Sequence, residues 1–538
     1  KEFLNLGYLL ILIGLVARWI YLASGTIELE KDEAYQWLWS KHLALSYYSK
    51  PPGIALIQFV STHIFGDTEF GVRFFSPLFA AILSFIALRF LAKEIGAKLA
   101  LILLLIVTAT PLLGVGTILM TIDPPLVLCW TWALIAGWRA MQPTGKTRDW
   151  VFVGLAMGLG FLCKYTAAAQ WVCWALVFAL MPATRIHLRK RGPWLALGIF
   201  LLCTTPVLIW NAKHGWITVT HVAGDAGMQS HWKFKDATRY FPEFTFTQFG
   251  LLNPVFFVGM VWAMFGFWKY RRERPLWVYF FCMSAPLYLG YWLFSLHSRV
   301  LPNWPIAAVP GLFCLMVVYW NEQLRRGAKW VKPVLIFGLG IGFIILPFLY
   351  ETKLIGKVTG NALPTEVDPL RRVRAWKQTA FVVERAREQL ETTNEPAFII
   401  ADHYSTTGLL SFYLPQARAT IGSTPLVYCV DSSEPVSQFY FWPEYRYKEN
   451  RQAQNAIYVS EVDTYPLEKD WVWKWLTHKR ISYGEDPEKT FIGQRQLLFT
   501  MRRLQKEFTS VTDLGDREVR MNGRVYRKLH LWACYGLK

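Results

Sequence analysis

"KDEAYQWLWSKHLALSYYSKPPG", residues 31–53, follows directly on the first long apolar run of a 538-residue chain. Asp32 and Glu33 stand near one end and Lys50 near the other, just before Pro51 and Pro52, with tyrosines and tryptophans between them. Carboxylates and a lysine in an aromatic-rich segment, placed where an apolar helix ends, read as the outer loop of a membrane protein. Tyr35, Leu38, Trp39 and His42 recur at helical spacing, so 33–43 is expected to be a short helix lying along the membrane interface, where Trp and Tyr are at home. The two prolines can open a second helix, which puts Lys50 before a helix N-terminus, a place that already favours an anion. Taken alone, Asp32 also reads as a helix cap and Lys50 as a snorkelling lysine.

Working outward, apolar stretches of roughly 17–25 residues, the length that crosses a bilayer, fill residues 1–350 and then stop. The chain is 53% hydrophobic with a mean hydropathy of +0.24, which excludes an ordinary soluble protein of this length. The expected fold is a polytopic α-helical membrane body over 1–350, followed by a soluble α/β domain over 351–538. Within that domain, "AFIIAD" (397–402) and "AIYVSEV" (456–462) read as strands. Segments 367–391 and 407–415 read as helices, and Asn522 with Gly523 as a hairpin turn.

The net charge of +19, from 57 basic and 38 acidic residues, raises nucleic acid as a partner. Its distribution removes that reading. Basic residues crowd five short breaks between apolar runs, among them Arg89, Lys93, Arg139, Arg148, Arg189, Arg191, Arg271, Arg274, Arg325 and Lys329, the pattern of cytoplasmic loops. With these breaks inside, about eleven crossings follow, including an out-and-back pair within 150–182 that turns near Lys164 and Tyr165. The N-terminus is then inside, and loops 24–69 and 211–248 and the C-terminal domain are outside. The chain begins with Lys1 rather than Met, which reads as a trimmed start. Its first apolar run is long enough to stay as a spanning helix.

This threading rests on the cations alone, yet it gathers Asp32, Glu33, Lys50, Asp123, Lys164, His214, His221, Arg299 and Asn303 at or near one surface. Ionisable groups at membrane depth are costly and usually functional. Asp123, in "MTIDPPL", reads as a cap or a catalytic carboxylate; Lys164, in an apolar hairpin, needs a carboxylate or an anion from elsewhere in the chain. Arg299 opens an outer helix start, and His214 and His221 are seven residues apart in an outer loop. Sugar transfer from a lipid phosphate needs cations to hold the charge growing on the leaving phosphate and one carboxylate to take the acceptor's proton. The inventory suits that division. Six of the eight cysteines lie in membrane segments; Cys429 and Cys534 could pair if the tail is exported, and no metal-ligand spacing occurs.

The motifs "DEAYQWLWSKHLALSYY", "KPPG", "TIDPPL", "GLGFLCKYTAAAQ", "PVLIWNAKHGW" and "RVLPNWP" resemble those of the GT-C membrane glycosyltransferases of the ArnT and protein O-mannosyltransferase kind, glycosyltransferase families 39 and 83. The tail stretch "FIIADHYSTTGLLSFYLP" is similar to bacterial members of that group. The resemblance implies an inverting inner-membrane transferase, of the EC 2.4 class, that takes a monosaccharide from a polyprenyl-phosphate donor. The acceptor at the outer face would be lipid A or core saccharide, another envelope glycan or lipid, or a protein hydroxyl. It implies Asp32 as base or acceptor-orienting group, with Glu33 its neighbour and Asp123 a second essential carboxylate that could itself be the base. Lys50, Lys164 and Arg299 would be donor-phosphate cations, and Tyr48, His214, His221 and Asn303 lesser substrate contacts. It departs at Ser49, where related transferases carry an acidic residue before the lysine, so dependence on a divalent metal stays open. A transporter or a non-catalytic envelope scaffold are the rival readings; transfer of labelled sugar by membranes with and without the protein separates them.

Overall fold

The computed structural model describes residues 1–225, 232–391, 396–462, 467, 470–479 and 487–538, which form two compact units. The first comprises Lys1–Ser24, Ala44–Ile57 and Arg73–Pro347; the second comprises Gly25–Leu43, Gln58–Val72 and Phe348–Lys538.

The first unit is helical throughout and polytopic. Helices Glu2–Ala23, Glu69–Glu94, Arg191–Lys213 and Val331–Tyr350 are each long and apolar enough to cross a membrane. Three bent pairs raise the number to as many as seven among the described residues: Tyr165–Leu180 with Pro182–Arg189, Phe234–Leu251 with Pro254–Tyr270, and Pro275–Cys282 with Ala285–Phe294. Other expected crossings fall on shorter elements, such as Ala97–Thr108 followed by Pro111–Gly116. The expected turn at Lys164 is there: Thr147–Cys163 stops, Lys164 turns extended at φ −153° and ψ 131°, and a 3-10 turn follows. Small residues let these helices close up, as membrane helices without a hydrophobic driving force require. A Cβ on Gly154 would lie 2.6 Å from the Ala196 carbonyl, and one on Gly259 2.0 Å from the Trp320 ring. The expected loop 211–248 is instead largely helical, in Ile217–Asp225 and Phe234–Leu251; its residues 226–231 lie outside the described residues.

The second unit is built on a five-stranded sheet of order β2-β1-β3-β5-β4, where β1 is Ala397–Ala401, β2 Val427–Cys429, β3 Asn455–Val462, β4 Phe508–Met521 and β5 Arg524–Leu537. β1 pairs in parallel with β2 and β3, while β5 runs antiparallel to β3 and β4. "AFIIA" is buried at every position, as a central parallel strand must be. Asn522 and Gly523 both take positive φ, 51° and 75°, and turn β4 into β5, a geometry that Asn-Gly adopts at little cost. Cys429 on β2 and Cys534 on β5 are both free and buried. Two strands separate theirs, roughly 14 Å at ordinary strand spacing, so they cannot form the disulfide that an exported tail suggested.

The quoted opening stretch takes a different place from the one expected. Helix Lys31–Lys41 does not present its aromatic residues to lipid headgroups. Trp37 and Leu38 are wholly buried and Trp39 nearly so, inside the second unit. The Trp37 ring meets Phe412 edge-on at 4.9 Å, its Nε1 donates to Asp67 Oδ1 at 2.7 Å, and the Tyr35 hydroxyl accepts from the Gln438 N–H at 2.7 Å. The tail motif "TGLLSFY" supplies the matching surface. Helix Tyr404–Tyr413 approaches so closely that a Cβ on Gly408 would lie 2.9 Å from the Tyr35 nitrogen. The second unit therefore includes Gly25–Leu43 and Gln58–Val72 as well as the stretch after 347. Segments far apart in the chain supply complementary aromatic faces, and burying those faces together outweighs the interfacial preference of any one of them.

Candidate active site

In the membrane unit, "IDPPL" starts helix Asp123–Met141, and two prolines fill the positions where backbone donors would otherwise be unpaired. Asp123 is not the cap of this helix; Ile122 is, without a side-chain bond. Its carboxylate, 7% exposed, is held at both oxygens: Lys164 Nζ donates to Oδ1 at 2.7 Å and Asn303 Nδ2 to Oδ2 at 2.6 Å. The partner that Lys164 required from elsewhere in the chain is thus Asp123. A carboxylate held at both oxygens is a good anchor for a cation.

The "KPPG" segment comes to the same place by packing. Gly53 lies against the end of Thr147–Cys163: a Cβ there would be 2.5 Å from the Leu162 carbonyl and 2.9 Å from Cys163 Sγ. Lys50 is half-buried and ends a tight turn in which its carbonyl accepts from the Tyr47 N–H at 3.1 Å and the Ser46 hydroxyl at 3.4 Å. Ser46 Oγ in turn lies 3.2 Å from the Tyr165 hydroxyl, and Thr218 Oγ1 donates to the Tyr47 carbonyl at 3.3 Å. Ser46, Tyr165 and Thr218 were not read as site residues from the sequence, since none carries charge, although Ser46 and Tyr165 lie within the quoted motifs. Gly53→Ala is expected to force the 50–53 turn away from Leu162 and cost about 1–3 kcal/mol. Thermal melting of the purified variant measures this, and a melting temperature equal to wild type would rule out the close approach.

The remaining expected groups are placed less centrally. The Tyr48 ring packs on His221 at 4.4 Å, whereas His214 stacks on Trp210 at 4.0 Å with Nδ1 2.7 Å from the Trp210 carbonyl, turned back on its own helix. Arg299 is two-thirds exposed and pairs with Glu243 at 3.3 Å, not with Asp123. Ser49 offers no carboxylate, and among the described residues no three His, Cys, Asp or Glu side chains converge as a metal-binding set.

In the second unit, the start of helix Lys31–Lys41 is a carboxylate cluster. Its cap is Glu30, which the sequence reading passed over, although Glu30 followed three residues later by Glu33 is itself a capping pattern. Glu30 Oε2 accepts the Asp32 N–H at 2.7 Å, and Glu33 Oε2 accepts the Glu30 N–H at 2.9 Å. Asp32 sits exposed on the first turn and does not cap; Glu33 is wholly buried. Burial, with the charges of Asp32 and Glu33 added, pushes the Glu30 carboxyl up from 4.5 to about 7. Between those two values the folded protein keeps a proton that the unfolded chain has lost, so this group's stabilisation is lost as pH rises from 4.5 to about 7. Glu30→Gln, which cannot titrate, should flatten the fall of melting temperature across that window. An unchanged slope would mean that Glu30 ionises as an ordinary carboxylate.

Comparison with known proteins points to membrane glycosyltransferases. The family described as dolichyl-phosphate-mannose-protein mannosyltransferase matches residues 49–210, the stretch that carries Lys50, Asp123 and Lys164. The lipid A galacturonosyltransferase RgtD of Rhizobium johnstonii is 30% identical over 308 residues, 55% of this chain and 62% of the relative. An undecaprenyl phosphate-alpha-4-amino-4-deoxy-L-arabinose arabinosyl transferase of Proteus mirabilis is 26% identical over 309 residues, 54% and 53% of the two chains. The crystal structure of ArnT from Cupriavidus metallidurans bound to undecaprenyl phosphate superposes with a TM-score of 0.57 over 98% of this chain and 97% of that one, at 14% identity. These matches support a glycosyltransferase of the GT-C kind. The matched stretch spans between about half and less than two thirds of those curated relatives' length. At 14% identity the likeness to ArnT establishes the GT-C fold alone.

Proposed function

We propose that this GT-C protein transfers a monosaccharide from a polyprenyl-phosphate donor to a lipid A-type acceptor at the outer face of the bacterial inner membrane, with inversion at the anomeric carbon. The observation that carries the reading is the membrane-unit cation Lys164, anchored by Asp123 and Asn303, in the same unit as the Lys50 turn that Gly53 packs against Leu162. Two cations on rigid supports suit a phosphate that gains charge as its bond to the sugar breaks. Lys50 and Lys164 hold that phosphate. Arg299, tied to Glu243 at the surface, stands outside the pair. A carboxylate, Asp32 by the resemblance to GT-C enzymes, takes the proton from the acceptor hydroxyl; the freed oxygen attacks the anomeric carbon, and the bond to the phosphate oxygen breaks with its electron pair, leaving polyprenyl phosphate. Asp123, occupied at both oxygens, positions Lys164 rather than moving a proton. The relatives named for lipid A and for an undecaprenyl phosphate sugar support the choice of donor and acceptor. The cationic breaks between apolar runs support an outward-facing domain, which a phosphatase reporter fused after residue 360 would read.

The test is transfer of labelled sugar from polyprenyl phosphate to lipid A in membranes carrying wild type or Lys50→Ala. Wild-type membranes should label lipid A, and the variant should lose at least about tenfold, the loss of one charge-assisted phosphate contact. No labelling above membranes lacking the protein would sink the reading, and a fully active variant would return Lys50 to a structural role.

A further inference from the structure

The second unit carries an exposed apolar surface that neither the fold nor the proposed reaction uses. Helix Trp471–Leu476, "WVWKWL", turns Trp475 inward: its Nε1 donates to the Asn361 carbonyl at 3.1 Å, and Asn361 Nδ2 donates to the Trp475 carbonyl at 2.8 Å. That leaves Trp473 64% exposed, with Val472 and Leu476 beside it and also open. The helix that leads to Asn361, Lys353–Thr359, exposes Val358 and carries Lys353 and Lys357, also exposed. Gly360, at its end, lies against the ring of His478. Lys474, paired with Asp470, and exposed Lys479 add further positive charge.

Chain connectivity says what covers this surface. Lys353–Thr359 begins three residues after the end of Val331–Tyr350, one of the four helices long and apolar enough to span a bilayer. The link between them is short and fixed: Arg374, itself buried, donates to Glu351 Oε1 at 2.6 Å and to Thr352 Oγ1 at 2.8 Å. A segment tied this closely to the end of a span stays near the headgroups. A soluble surface seldom exposes Trp, Val and Leu together without a partner. Tryptophan flanked by lysine is the composition that binds a headgroup layer, the ring among acyl carbonyls and the ammonium groups on lipid phosphates.

We infer that Trp471–Leu476 and Lys353–Thr359 together form a bilayer-contacting foot, seated in the headgroup layer on the side where Val331–Tyr350 ends. This goes beyond the proposed reaction and stands whether or not sugar is transferred. The test places the photoreactive residue p-benzoylphenylalanine at Trp473 in the full chain, reconstituted in phosphatidylethanolamine–phosphatidylglycerol vesicles with radiolabelled phospholipid. A second protein carries it at Phe381, equally exposed at 65% but on helix Trp376–Leu390. Irradiation should attach lipid at 473 and leave 381 near background. Adding Leu476→Glu to the 473 probe should reduce the lipid adduct. Equal labelling at the two positions, or a cross-link from 473 to a second copy of the chain in place of lipid, would overturn the inference.

Discussion

Asp32→Asn is expected to lower sugar transfer by about 10²–10⁴-fold, the usual loss when a general base is removed, while the helix keeps its cap and the chain still folds. The structure assigns that cap to another side chain. The helix cap is Glu30, and Asp32 contributes only its backbone N–H to that cap. Asparagine keeps the N–H and nearly the same shape but cannot accept the acceptor's proton. Glu30→Ala should do the reverse, costing about 0.5–2 kcal/mol of stability as a lost cap does with a much smaller effect on transfer. Initial rates with labelled donor, set beside melting curves, read both quantities. Near-normal turnover of Asp32→Asn would move the search for the base to its neighbours Glu30 and Glu33.

Lys164→Met is the second large effect, and it falls on stability and activity together. Asp123 is 7% exposed and leans on Lys164 at 2.7 Å. Removing the cation strands a buried carboxylate with Asn303 alone, a change that typically costs about 3–5 kcal/mol. The double variant Lys164→Met with Asp123→Asn removes both charges and should recover most of the lost melting temperature. Transfer should stay suppressed in the double variant, because the phosphate has lost its cation whether or not the helix start is sound. If the double variant regains activity along with stability, Lys164 serves the fold and the phosphate is held elsewhere.

Much of the fold was legible because periodicity and charge report on solvent. Apolar runs of bilayer length mark the membrane-spanning body, and the turn at Lys164 stands out as a lone charge inside an apolar pair of segments. In the tail, "AFIIA" and the Asn522 and Gly523 turn were readable for the same local reasons. β2, three residues long, carries too little pattern to be seen. The phosphate-cation candidates Lys50 and Lys164 were visible as residues out of character with their surroundings, but Arg299, equally out of character, proved to be a surface ion pair with Glu243. Charge alone does not tell an anchored cation from a solvated one.

The sequence by itself determined that this is a polytopic helical chain whose tail mixes helices and strands, since each of those features rests on short-range hydrophobic pattern. It also singled out Asp123, Lys164 and Asn303, but as three separate residues. Only the tertiary structure decided that they are one group, with both oxygens of Asp123 engaged. It decided too that Gly53 brings the "KPPG" turn against Leu162, two residues before that lysine, and that the aromatic face of Lys31–Lys41 is buried inside the second unit. The physical reason is common to all three. An aromatic face, a buried charge and a bare glycine each state a need for a partner, and the partner's identity depends on contacts between segments tens to hundreds of residues apart, which no local pattern encodes.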